Sequence, residues 1–260
     1  MEQVTSSDGA FIVYRRSGAG PPLLLVHGTT ADHRSWSAVA PLLEPHFTLY
    51  AMDRRGRGES GDTADYGLER EVADIIAVIE AIGQPVNVLG HSYGALCCLE
   101  AALQTDAIAR LILYEPGLAT GIELYPPGVP ERMQALIDGG DLEGAMVVMF
   151  REVVRMPEPE LAEYRHSSLW AARLPLARTI PREMAAELGY HFNAARFADL
   201  RTPALLLTGG DSPAVLRQAT ALVHAALPNS RVAVLPSQQH IAYRTAPELF
   251  TAAVLVFLKS

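Results

Sequence analysis

Short apolar runs alternate with longer segments of helical spacing through the first 115 residues. Phe11–Tyr14 reads as an early strand, residues 18–22 as a turn, and Leu23–Val26 as a strand apolar at every position. Ser35–Leu43 has helical spacing and Phe47–Met52 predicts a strand. Glu69–Ile82 predicts an amphipathic helix with Val72, Ile75, Ile76 and Ile79 on one face. Gly83, Gln84 and Pro85 stop that helix, and a strand over Val86–Leu89, a helix over Tyr93–Gln104 and a strand over Leu111–Tyr114 follow. Continuous apolar strands separated by helices predict an α/β fold, a mostly parallel central sheet with helices on both faces.

The alternation stops at Glu115. From there to about Leu200 no strand pattern occurs, only proline-punctuated helical pieces at Met133–Ile137, Leu142–Val154, Pro159–Trp170 and Arg182–Leu188. It resumes with a strand at Ala204–Thr208, a helix at Ala214–Leu227, a strand at Arg231–Leu235 and a helix at Pro247–Phe257. The expected organisation is a core in two parts, residues 1–115 and 201–260, interrupted by a helical cap at 116–200. Such a cap would lie over the C-terminal edge of the sheet, where ligands bind in folds of this kind.

Composition narrows the class. The 260 residues are 49% hydrophobic and 19% charged, enough to bury one large domain or a domain carrying an insertion, and far from a disordered composition. A net charge of −8 argues against nucleic acid or an anionic membrane as partner, leaving a small-molecule substrate. The only two cysteines, Cys97 and Cys98, are adjacent, which offers neither a useful staple nor zinc spacing and suits a reducing compartment. The polar N-terminus lacks a signal-peptide pattern, and no apolar run approaches the ~18 residues of a membrane helix, so a cytoplasmic location is expected. Oligomeric state is left open.

The sharpest chemical signal is Gly90, His91, Ser92, Tyr93 and Gly94, a G-x-S-x-G that directly follows one predicted strand and opens a predicted helix. A serine on such a turn is exposed at the sheet's edge in strained backbone, the flanking glycines relieve crowding, and the helix directs its positive end at developing negative charge. An incidental serine in a glycine-rich turn is the bland alternative, and the strand–helix context argues against it. A nucleophilic serine needs a base and an acid to orient that base. Of the eight histidines, His240 lies in the loop between the last predicted strand and the C-terminal helix, at the same sheet edge as Ser92. His27 reads as a brace for its loop, and His91 is expected to point away from its neighbour Ser92. Asp211, after Gly209 and Gly210 at the tip of the penultimate strand, is the expected acid and completes the order Ser…Asp…His. Glu115, ending the strand before the cap, is the competing acid, or a structural residue where the cap departs. Two backbone donors for an oxyanion are expected at Tyr93 N–H and at Thr29 N–H in the loop after Leu23–Val26.

Together, His27 and Gly28, the stretch Asp53–Ser60, Gly90–Gly94, Gly209–Asp211 and His240 resemble the α/β-hydrolase superfamily over essentially the whole chain. The stretch after Phe47–Met52 is similar to the D-x-R-G-x-G-x-S turn of capped serine-nucleophile members such as esterases and cofactor-free haloperoxidases. Alone it would read as an exposed basic turn. Serine at position 92 excludes the aspartate-nucleophile relatives, epoxide hydrolases and haloalkane dehalogenases. No metal or cofactor motif is present, so none is implied. The resemblance implies a serine hydrolase acting on a small to medium, mostly apolar ester or lactone through an acyl-enzyme on Ser92. The same side chains serve C–C bond hydrolases, perhydrolases and lyases, and a non-catalytic binder on the same fold is a further alternative. Trp36, Phe150, Trp170, Tyr190 and Tyr243 are candidates for the pocket wall, with Tyr125 at its entrance, although aromatic side chains more often simply pack a core. Arg34 and Arg178 are candidates for a carboxylate, against the commoner reading of solvated surface arginines.

Overall fold

A computed structural model describes residues 1–260, with the side chains of Ser168 and Leu169 left aside. One sheet holds eight strands: β1 (Glu2–Thr5), β2 (Phe11–Gly18), β3 (Pro22–Val26), β4 (Thr48–Met52), β5 (Val86–His91), β6 (Ile108–Tyr114), β7 (Ala204–Gly209) and β8 (Ser230–Leu235). Their spatial order is β1-β2-β4-β3-β5-β6-β7-β8. β2 runs antiparallel to both β1 and β4, and every later pairing is parallel. β3, β5 and β7 are buried at every position, as strands covered on both faces must be, Asn87 and His91 of β5 included. β1 escapes the hydrophobic pattern because its Glu-Gln-Val-Thr sequence lies exposed at the edge.

The core helices are α1 (Ala40–Leu43), α2 (Leu68–Ile82), α3 (Tyr93–Ala101), α9 (Ala214–Ala226), α10 (Ala242–Thr245) and α11 (Pro247–Leu258). Between β6 and β7 lie α4 (Val129–Asp138), α5 (Leu142–Val148), α6 (Glu158–Arg165), α7 (Ser168–Arg173) and α8 (Ile180–Gly189). One apolar layer packs α2, α3 and α9 on one face of the sheet, and a second packs α1 and α11 on the other. The helices between β6 and β7 carry an apolar cluster of their own around Met133, Met146, Phe150, Trp170 and Met184. Among the described residues no helix is long and apolar enough to cross a membrane.

Two expected helices are broken. Ser35–Leu43 is a short 3₁₀ turn, His33–Trp36, followed by the separate α1, whose opening turn holds Pro41. The helix expected over Pro159–Trp170 is two, because Ser167 caps α7 by accepting the Trp170 N–H. Register then positions the chemistry. Gly90 pairs with Val26 on one side and with Leu113 on the other, so the loops after β3, β5 and β6 emerge side by side at one edge. β7 stands one strand further out.

Candidate active site

Ser92 sits between β5 and α3 with φ 55° and ψ −124°, a left-handed conformation that strains any residue but glycine. The turn holds because its neighbours over-determine it. Ser92 N–H donates to Tyr114 O at 2.9 Å, and Ser92 O accepts from Gly117 N–H at 3.1 Å and Ala95 N–H at 2.9 Å. A side chain at Gly94 would strike the backbone oxygens of His27 and Val26, and one at Gly28 would meet Ser92 Cβ at 2.8 Å. The glycines of both motifs therefore let the β3 loop and the serine turn touch. Among the described residues, neither Tyr93 N–H nor Thr29 N–H donates to a protein acceptor.

His27 braces the β3 loop. Its Nδ1–H donates to Gly28 O at 2.8 Å, and its Nε2 accepts Arg54 N–H at 3.1 Å. Burial, aided by the Arg54 charge, pushes its pKa down to about 3, so the ring stays neutral in that tautomer. His91 turns its ring to the loop that carries His240. Its Nε2–H donates to His240 O at 2.8 Å, and its ring lies 4.4 Å from that of His240. Burial holds the His91 ring well below the ordinary histidine value.

The carboxylate on His240 is Glu115 and not Asp211. His240 Nδ1–H donates to Glu115 Oε2 at 2.7 Å. Glu115 Oε1 accepts from Thr208 Oγ1–H and Gly209 N–H, both at 2.8 Å, and the residue is fully buried. Burial raises the carboxyl's pKa, but the His240 and backbone bonds outweigh it and hold Glu115 below the ordinary carboxylate value. Asp211 is exposed; its backbone N–H donates to Gln238 O at 2.9 Å, and its side chain makes no hydrogen bond among the described residues. Glu115 is buried beside the tip of β7, where Thr208 and Gly209 hold its other oxygen, whereas Asp211 lies two residues past β7 and faces solvent. His240 is drawn back from edge strand β8 by two inner groups, His91 on His240 O and the Tyr114 hydroxyl on Gln239 O, with Ala242 N–H donating to that hydroxyl at 3.1 Å.

The aromatic candidates separate into three groups. The rings of Trp36 and Tyr243 pack at a tilt with centroids 5.1 Å apart, and Tyr243 lies edge-on to His91 at 4.9 Å, so this pair sits beside the residue that precedes Ser92. Phe150 and Trp170 join Tyr164 in an aromatic triplet among the helices between β6 and β7, with centroids 5.2–5.7 Å apart. Tyr190 departs from expectation: its hydroxyl donates to Glu100 Oε1 at 2.5 Å near the far end of α3. It lines a separate cleft of about 710 Å³ between residues 64–69 and α8. Tyr125, expected at an entrance, donates instead to Glu187 Oε2. Arg34 pairs with Asp32, and Arg178 is exposed.

Arg54, Arg55 and Arg57 are completely buried, the opposite of an exposed basic turn. Arg54 bonds Glu71 Oε1 and Glu183 Oε2, each at 2.9 Å, and Arg57 also pairs with Glu183, so α8 is fastened to the core through ions. Arg55 takes Asp74 and Asp8. Among the described residues one triplet, Asp32, His33 and Asp53, brings donor atoms within 4.8 Å of one another. Its hydrogen bonds already explain it, since Asp53 accepts from His33 and Glu59 and Asp32 caps the 3₁₀ turn. The residues missed from sequence are Tyr114, Glu187 and Glu115's bond to His240. Gly117, two positions beyond Glu115, is the signal that could have drawn attention to that turn.

The sheet, the strained serine turn and the His240–Glu115 pair define a hydrolase of the α/β class. The chain belongs to the alpha/beta hydrolase family, whose model matches residues 23–253. It is similar to N-formylmaleamate deformylase of Pseudomonas putida, 39% identical over 121 residues, and that match spans 45% of this chain and 45% of the relative. Over 95% of this chain and 94% of the relative it is 25% identical to (E)-2-((N-methylformamido)methylene)succinate hydrolase of Acinetobacter baylyi. A crystal structure of an alpha/beta hydrolase from Sphaerobacter thermophilus superposes with a TM-score of 0.88 at 35% identity, covering 99% of this chain and 100% of that one.

Proposed function

We propose that the protein is a serine hydrolase of small carboxylic acid derivatives, working through an acyl-enzyme on Ser92. The observation that carries this reading is the Glu115–His240 bond beside the strained Ser92 turn. His240 Nε2 takes the Ser92 proton as Oγ attacks the carbonyl. Tyr93 and Thr29 N–H groups hold the oxyanion, and His240 passes the proton to the leaving group and then activates water. Glu115 stays ionised and keeps the proton on Nδ1. No cofactor enters these steps.

An ester or lactone of small to medium size is the first substrate class, with Trp36 and Tyr243 as one wall and Phe150 and Trp170 as the roof. Formamide C–N cleavage is the second reading, favoured by two relatives whose names describe a deformylase and the hydrolase of a formamido compound. Steady-state turnover of p-nitrophenyl acetate, p-nitrophenyl butyrate and N-formylmaleamate by wild type and Ser92→Ala tests both. Ester turnover lost in Ser92→Ala supports the first, and Ser92-dependent release of formate supports the second. Turnover unchanged in Ser92→Ala overturns the nucleophile.

A further inference from the structure

Helix α8 delivers one more polar group to the serine turn. Glu187 is 1% exposed, its Oε2 accepts from the Tyr125 hydroxyl, and its Oε1 has no hydrogen-bond partner among the described residues. Oε1 lies against Gly117, where a Cβ would fall on top of it, and that same Cβ position is 3.4 Å from Tyr93 N. Gly117 N–H in turn donates to Ser92 O. A side chain from α8 thus comes up beside the turn that carries the expected oxyanion donor, in a gap that only glycine leaves open.

The charges around it favour a neutral acid. Burial pushes the Glu187 carboxyl up to about 8, with the Tyr125 bond opposing, Glu183 on the same helix adding to the rise and Arg54 opposing it. Tyr93 from α3 and Tyr125 face the same space and are themselves pushed well above the ordinary phenol value. Behind them Arg57 bonds Glu183, Glu71 accepts from Arg54, and the Tyr66 hydroxyl donates to Glu71. With Oε2 engaged by a phenol donor, the acid proton belongs on Oε1.

Resting on the acyl-enzyme reading, we propose that Glu187 is a catalytic hydrogen-bond donor, a neutral carboxylic acid whose Oε1–H joins the Tyr93 and Thr29 N–H groups at the substrate's acyl oxygen. The proton stays on Glu187 throughout, and no bond to it is made or broken. A neutral donor stabilises the oxyanion, whereas the ionised form would set a negative charge against it.

The test is kcat and KM for p-nitrophenyl acetate from about pH 6 to 9.5, on the full chain as wild type, Glu187→Gln, Glu187→Met and Glu71→Gln. Fluorophosphonate labelling of Ser92 is followed in each. Wild-type kcat is expected to fall above about pH 8. Glu187→Gln, which keeps a donor and cannot ionise, holds kcat within about threefold at pH 7 and loses that fall. Glu187→Met loses roughly 10²-fold in kcat with KM little changed, and Glu71→Gln keeps the wild-type fall. Wild-type kcat in Glu187→Met, or an unchanged alkaline fall in Glu187→Gln, overturns the proposal. If Glu187→Met does not unfold cooperatively, the Glu187→Gln profile decides alone. Wild type that turns over but is indifferent to Glu187 defeats this proposal only; wild type that neither labels nor turns over defeats the acyl-enzyme with it.

Discussion

Glu115 at the tip of β6 and Glu187 in α8 are the same side chain, both removed from solvent, and they titrate in opposite directions. Burial raises both. Glu115 meets that cost with donors from Thr208, Gly209 and His240, and remains a carboxylate. Glu187 has one phenol donor, and its nearest carboxylate, Glu183, is already committed to Arg54 and Arg57. Partner count, more than depth, decides which acid carries charge. The division suits the chemistry proposed, because a fixed anion behind the base and a neutral donor at the acyl oxygen stabilise opposite charges in one transition state.

Substitutions can break this contrast at several points. Glu115→Gln removes the fixed anion and leaves His240 in the wrong tautomer, so kcat for p-nitrophenyl acetate is expected to drop about 10⁴-fold. Asp211→Asn under the same assay stays within about threefold. Glu183→Ala leaves Arg54 and Arg57 buried without their shared anion, and denaturant titration is expected to show a loss of about 3–5 kcal/mol. Tyr114→Phe frees the loop that carries His240 and lowers kcat on the order of tenfold.

The smallest effect is on stability against pH. Glu187 and Glu71 are raised to about 8 and about 7 from 4.5, so the unfolded chain releases their protons first. Their contribution is complete below about 4.5 and is lost as pH rises through those folded values. Melting temperature should decline across that window, and Glu187→Gln should make the decline shallower. An equal slope in that variant would remove Glu187 from the set of groups that titrate on unfolding.

The parallel strands were legible because β3 and β7 are apolar at nearly every position, and the serine turn because its glycines follow a strand at once. The acid was not. Asp211 and Glu115 both lie at or just past strand ends, and only the folded placement of their side chains separates them, Glu115 buried against Thr208, Gly209 and His240 and Asp211 exposed. Glu187 was equally hidden. It lies on a helix of ordinary amphipathic pattern, and its role depends on meeting Gly117 some seventy positions earlier in the chain. The buried arginines escaped a local reading for the same reason, since Glu183 is supplied from α8, the last of the inserted helices.

The contrast between the two acids is measured most directly by ¹³C NMR titration of protein labelled at glutamate Cδ, with Glu115→Gln and Glu187→Gln assigning the two signals. The expected result at neutral pH is a protonated Glu187 that ionises near pH 8, and a Glu115 that stays ionised to below 4.5. Both signals titrating together near the ordinary carboxylate value would contradict the assignment of a neutral donor and a fixed anion to this site.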